Sequence, residues 1–227
     1  MATNPARRVA DPLSAATRRI LLPALRPYGL VRKTNRVTGR LVSGIFQFFD
    51  LQVSRWGGKD LCVNYASLAL CPRREYLILQ PGDRLRGANG GEAWLPAATI
   101  EEANASMEEV LTMLCEQAIP FFESTKTTEG LLIHLEQADW GSQHHLSFER
   151  ACCAAKLGRM SEAATHVARA IDLYREDGRD WCNQYLEQCD DLLTAVRNRE
   201  ADALLRQWEA QSVANLRLEK LQRGLNS

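Results

Sequence analysis

Alternate positions are apolar in two successive segments of the chain. Ile45, Phe49, Leu51 and Val53 form one set, interrupted by Gln47, and Leu61, Val63 and Tyr65 form the next. Period-two alternation on either side of Gly57-Gly58 predicts two antiparallel strands. A two-residue Gly57-Gly58 loop would set Val53 against Cys62 and Leu51 against Asn64, mixing the faces. A three-residue loop, Gly57-Gly58-Lys59, keeps them apart. It sets Trp56 against Asp60, Ser54 against Cys62, Val53 against Val63 and Gln52 against Asn64. Asp50, Gln52, Ser54 and Asn64 then share one face, whose far end carries Phe46, Phe48, Leu68 and Leu70. A face of this kind is either half-covered by another element or a binding surface.

Helical spacing governs most of the remainder. Asp11-Pro12 is a start signal, with Asp as N-cap and Pro in the first turn, and Leu13, Ala16, Ile20 and Ala24 follow at helical intervals. Pro23 can kink this helix and Pro27 ends it. A short strand is expected over residues 31–36, with a tight connection at Thr38-Gly39 and a further strand over residues 75–80. Thr99-Ile100-Glu101-Glu102 is a capping box opening a helix that buries Ala103, Met107, Val110, Leu111 and Leu114. Pro120 interrupts it, and a second helix is expected over residues 121–138, closed by Asp139-Trp140-Gly141. From Ser147 onward the pattern is helical. Asp177-Gly178 ends one helix pair, and Trp181, Tyr185, Cys189, Leu192 and Val196 form a stripe that Leu205, Trp208, Leu216 and Leu221 continue. That stripe predicts one long helix, or two with a break near Asn198. It serves core packing or an interface such as a homodimer. The fold class is therefore α+β: an antiparallel sheet packed with helices over residues 1–140, then a helical region over residues 141–227.

Composition narrows the class of protein. With 45% hydrophobic and 25% charged residues in 227, the chain can bury a core without staples. No apolar run reaches the roughly 20 residues needed to span a bilayer, and none resembles a secretory leader, so a cytoplasmic protein without membrane contact is expected. Seven cysteines, none in a CxxC pair, read as buried thiols in a reducing compartment. His144-His145 and Cys152-Cys153 do not match the spacing of a structural zinc site, and no metal or cofactor is expected. Formal net charge is zero but unevenly placed. Residues 1–40 hold nine Lys and Arg against Asp11, and residues 93–140 hold nine acids against Lys126. Such polarity suits an anionic partner at one end and a cationic partner at the other, unless the two segments neutralise each other on folding.

Four features together resemble the bacterial family named domain of unknown function 4304. They are a leading helix; Pro27-Tyr28-Gly29-Leu30 entering a strand; Phe49-Asp50-Leu51-Gln52-Val53-Ser54, with its Q-x-S; and Leu61-Cys62-Val63-Asn64, with its V-N. The resemblance covers about residues 12–137, and Tyr65-Ala66 stand where such sequences often carry glycine. It implies an α+β domain with an antiparallel sheet and brings no catalytic mechanism with it. Bacterial domains of this size often accompany secreted toxins as immunity proteins. Residues 151–163 also resemble the inter-helix corner of a tetratricopeptide repeat, in a single copy.

Catalytic chemistry finds little support. Ser54 has no histidine near it in sequence, since His134, His144, His145 and His166 all lie far downstream. Glycine-rich residues 87–91 lack the lysine of a phosphate loop. Gln52, Ser54 and Asn64 form hydrogen bonds well but are poor acids and bases, so they suit orientation or recognition. The expected protein is non-enzymatic and binds another protein, a secreted toxin domain being the type. Glu101, Glu102, Glu108, Glu109, Glu116 and Glu123 are the residues expected to meet a cationic partner. The alternative is nucleic-acid binding by the basic N-terminal arm, which no recognised motif accompanies.

Overall fold

The computed structural model describes residues 11–55, 59–138 and 141–223, the last two without their side chains. Expectations about a frayed tail over residues 1–10, the Gly57-Gly58 turn with Trp56, and Asp139-Trp140 lie outside the described residues. The fold is α+β, as the alternation and helical spacing predict. Five strands form one antiparallel sheet in sequence order: β1 (Val31–Arg32), β2 (Val37–Val42), β3 (Ile45–Val53), β4 (Leu61–Ala69) and β5 (Gly82–Arg84). Two compact units emerge from the contacts. One comprises Met1–Gly39, Phe49–Asn64 and Arg84–Ala118, and the other Arg40–Phe48, Tyr65–Asp83 and Ile119–Ser227.

Three strand expectations need correction. Thr38-Gly39 lies within β2, not in a connection, and pairs with β1 through Val31–Gly39 and Arg32–Thr38. The turn falls instead at Ser43-Gly44, where φ is 50° and 74°. Two successive positive φ values make the two-residue hairpin turn whose twist matches that of its strands. Residues 75–80 form no strand, and β5 begins at Gly82, where an added Cβ would fall on the Tyr65 carbonyl oxygen. The β3–β4 register also differs. Ser54 donates its N–H to the Asp60 carbonyl at 2.7 Å, and Leu70 donates to Gly44 at 3.0 Å. Both bonds belong to one register, which sets Gln52 opposite Cys62 and Asp50 opposite Asn64. This is a slip of two residues from the expected pairing. Because side chains alternate with period two, every residue keeps its predicted face.

In the first unit the Asp11 carboxylate caps helix α1 (Pro12–Ala16) by accepting from Ser14 N–H at 3.1 Å. The helix passes through a wider π turn, Thr17–Leu21, into α2 (Leu22–Leu25). The π turn precedes Pro23, which lacks an N–H and crowds the preceding turn. It also inserts one residue. The buried stripe therefore moves from the predicted Ile20 and Ala24 to Leu21 and Leu25. Helix α3 (Ile100–Met113) carries the expected capping box and buries Ala103, Met107 and Val110. It too widens into a π turn, Leu114–Ala118, two residues before Pro120.

The second unit contains α4 (Ile119–Ser124), α5 (Thr128–Gln137), α6 (Gln143–Lys156), α7 (Met160–Asp177), α8 (Asn183–Asn198), α9 (Ala201–Asn215) and α10 (Glu219–Arg223). The single helix expected over residues 121–138 is thus two, because Thr127 starts a new one by accepting from Gly130 N–H. Arg199, at φ 64°, breaks the C-terminal helix beside the predicted position. Tyr185, Cys189, Leu192, Val196, Leu205 and Trp208 face one core with Phe148, Cys152 and Tyr174. Inside that core Arg74 Nη2 meets Glu149 Oε1 at 2.9 Å, with side chains 6% and 1% exposed. Helix α9 pins the arginine's segment. Arg74 N–H donates to Ser212 Oγ at 2.8 Å, that hydroxyl donates to the Pro72 carbonyl, and Asn215 donates to the Arg74 carbonyl. Among the described residues no helix is long and apolar enough to cross a membrane.

Candidate recognition surface

Two features of the first unit carry recognisable chemistry: a polar cluster on the sheet and an acidic helix face. The cluster follows from register. Leu85 N–H donates to the Val63 carbonyl, which sets Arg84 opposite Asn64, just as the β3–β4 register sets Asn64 opposite Asp50. Arg84 Nε donates to Asn64 Oδ1 at 2.9 Å, and Asn64 Nδ2 donates to Gln52 Oε1 at 3.1 Å. Arg84 Nη2 also reaches Gln52 Oε1 at 3.4 Å. The guanidinium pairs with Glu92 and lies over the Trp94 ring, 5.6 Å from its centroid. Trp94 Nε1 donates to Glu92 Oε2 at 3.3 Å.

The amides thus form a ladder across two strands with an arginine at its end. All nine residues of β4 are buried, and Gln52 is the one exposed position of β3. Asn64 is 4% exposed and spends both ends of its amide inside the ladder. Asp50 is half-buried, and burial raises its pKa against the pull of Arg36. Ser54 stands one residue beyond β3, where its backbone closes the hairpin. Burial likewise pushes up the Cys62 thiol. Solvent meets this cluster mainly through Gln52, Glu92 and Trp94, the last 42% exposed. Arg84, Glu92 and Trp94 are the members that strand alternation alone misses. Their signal is faint: Asp83-Arg84-Leu85-Arg86 alternates between turns at Pro81-Gly82 and Gly87.

On α3 and the π turn after it, Glu101, Glu108, Glu109 and Glu116 are all exposed. At 3.6 residues per turn they fall on one face, together with Ala105 and Thr112, over about 22 Å. Residues 87–125 contain no Lys or Arg, so nothing on that helix offsets them. Glu102 is committed elsewhere, accepting from Ala98 and Thr99 N–H at the helix start. In the second unit Glu123 pairs with Arg40 at 2.8 Å and Lys126 at 2.9 Å, and both donors lower its pKa. Four of the six predicted glutamates therefore make one surface, and two serve local structure.

No family model, curated protein or solved structure matches this chain.

Reactive pairings in the second unit have structural explanations. Ser124 Oγ lies 2.8 Å from His134 Nε2, a spacing that suits a nucleophile and its base. The same hydroxyl lies 2.8 Å from the Phe121 carbonyl, which can only accept. With its proton directed to that carbonyl, the hydroxyl accepts from His134. His145 Nδ1 lies 2.6 Å from the Tyr174 hydroxyl within a group of rings that includes His144, Trp181 and Tyr185. Burial, helped by the charge of His144, pushes the His145 pKa down to about 4. Tyr185 closes the group with a hydroxyl contact to Tyr76 at 2.6 Å. The cavity beside Tyr76 and Tyr185 measures about 10 Å³, room for a single water.

Proposed function

We propose that this protein acts by binding another protein without catalysis. In this reading it is an immunity-type protein that occludes a toxin domain carrying a basic surface. The observation that carries the reading is the stripe of Glu101, Glu108, Glu109 and Glu116, none of which forms an ion pair among the described residues. Like charges on one helix face repel and cost the helix some stability. A cationic partner removes that cost, and the stripe accelerates its approach. The hairpin and leading helix also resemble domain of unknown function 4304, and bacterial domains of this size often accompany toxins as immunity proteins, which is analogy at the level of type. A quadruple Glu→Gln variant of the stripe tests it. Binding of a basic toxin domain encoded beside this chain should weaken by about tenfold or more, mostly through a slower on-rate that salt also slows. Unchanged affinity would refute the role of the stripe.

A second reading, nucleic-acid binding by the basic N-terminal arm, draws on Arg36, which lines a cavity of about 360 Å³ with Asp11, Asn35 and, from outside the arm, Lys59. It competes with internal uses of the same arm: Arg40 is bound to Gln47 and Glu123, and Arg32 to Thr34 and Asn35. Retention on RNA or DNA that falls steeply with salt would favour it.

A further inference from the structure

A groove of about 610 Å³ lies in the second unit where α8, α9 and the segment at Arg73 meet. Its volume is that of a small-molecule site. The indole of Trp208, 2% exposed, closes its floor. Charges of both signs line it: the guanidinium of Arg73 and the carboxylates of Asp191 and Glu200. Among the described residues none of these three side chains forms an ion pair or hydrogen bond, with each other or elsewhere. Opposite charges that share a groove yet stand beyond pairing distance leave a gap for something to bridge. Gln211 adds a second sign. Its side chain lines the groove, and its Oε1 is buried without a hydrogen-bond partner among the described residues, a condition that costs free energy.

The positive pole is held in place. Arg73 N–H donates to Gln188 Oε1 on α8 at 2.9 Å, and the next N–H donates to Ser212 Oγ on α9 at 2.8 Å. The backbone under the guanidinium is thereby fixed to both walls, which lowers the ordering cost of binding.

We propose that this groove is a binding site for a small dipolar molecule, with its carboxylate on Arg73 and its ammonium or guanidinium group against Asp191 and Glu200. A free amino acid with a cationic side chain, or the C-terminal Lys or Arg of a peptide, carries both groups. This site is independent of the acidic stripe on α3, so either can fail alone.

Calorimetry on the full chain tests it, with L-arginine, N-acetyl-L-arginine and agmatine as probes. Arginine should bind with a dissociation constant of about 1 mM or tighter, and agmatine, which lacks the carboxylate, about tenfold more weakly. N-acetyl-arginine binding as well as arginine would support the site and identify a peptide end as its ligand; weaker binding would support it with a free amino acid. Arg73→Gln should abolish the preference for arginine over agmatine, while Asp191→Asn with Glu200→Gln should weaken both. All three positions are at least partly exposed, so the variants should fold. No binding of any probe, equal binding of arginine and agmatine, or binding indifferent to both sets of substitutions would overturn the proposal.

Discussion

Two of the molecule's arginine–carboxylate pairs share one chemistry in opposite settings. In one unit Arg84 and Glu92 are 25% and 52% exposed and share their charge with Asn64, Gln52 and Trp94. In the other, Arg74 and Glu149 are 6% and 1% exposed inside a core of apolar side chains and thiols. Water screens the first pair, which is left adaptable and cheap to lose. The second has surrendered its hydration, so each charge depends on its partner. Burial, and not the presence of a salt bridge, decides which pair specifies the fold and which tunes a surface.

The sharpest way to break the comparison is to remove one buried partner. Glu149→Ala leaves Arg74 charged and alone, and should cost about 3–5 kcal/mol in urea unfolding. Arg74→Met with Glu149→Leu should be far milder, because no charge remains unpaired. A double variant as damaging as the single one would contradict this account of the pair.

Acid is the next test. The folded pKa of His145, about 4, is depressed below its ordinary 6.5, so between those values the folded chain binds fewer protons than the unfolded one. Its contribution is fully present above pH 6.5 and is lost as pH falls towards 4, by roughly 3 kcal/mol. Unfolding curves for His145→Asn over that range should be flatter than those of the parent chain.

Smaller effects belong to the sheet cluster. Asn64→Ala removes both rungs of the amide ladder and should cost about 1 kcal/mol. Glu92→Gln, at the exposed pair, should barely change stability, because solvent screens the charge. A loss at Glu92 as large as that at Glu149 would erase the contrast between the two settings.

Local signals in the sequence were the legible ones. The caps at Asp11, Thr99 and Gly178 act within a few residues, and each stands where its motif predicts. The faces of the hairpin were legible too, because parity alone assigns them. Its register was not, since a slip of two residues preserves every face. Ile20 and Ala24 lost their predicted burial to a π turn, which no periodicity announces. Arg84 escaped notice because β5 is three residues long and is positioned by its neighbours, not by its own pattern. Of the candidate surface, the acidic helix was legible as charge spacing, while the Arg84–Trp94 end of the ladder required the strand pairing.

The most direct test concerns the acidic face of α3. It is the salt dependence of the on-rate for a basic toxin domain, measured for the parent chain and for the chain with Glu101, Glu108, Glu109 and Glu116 changed to Gln. The account predicts a steep dependence in the parent that flattens in the variant, with affinity falling about tenfold or more. Identical salt dependence and affinity in the two chains would contradict it.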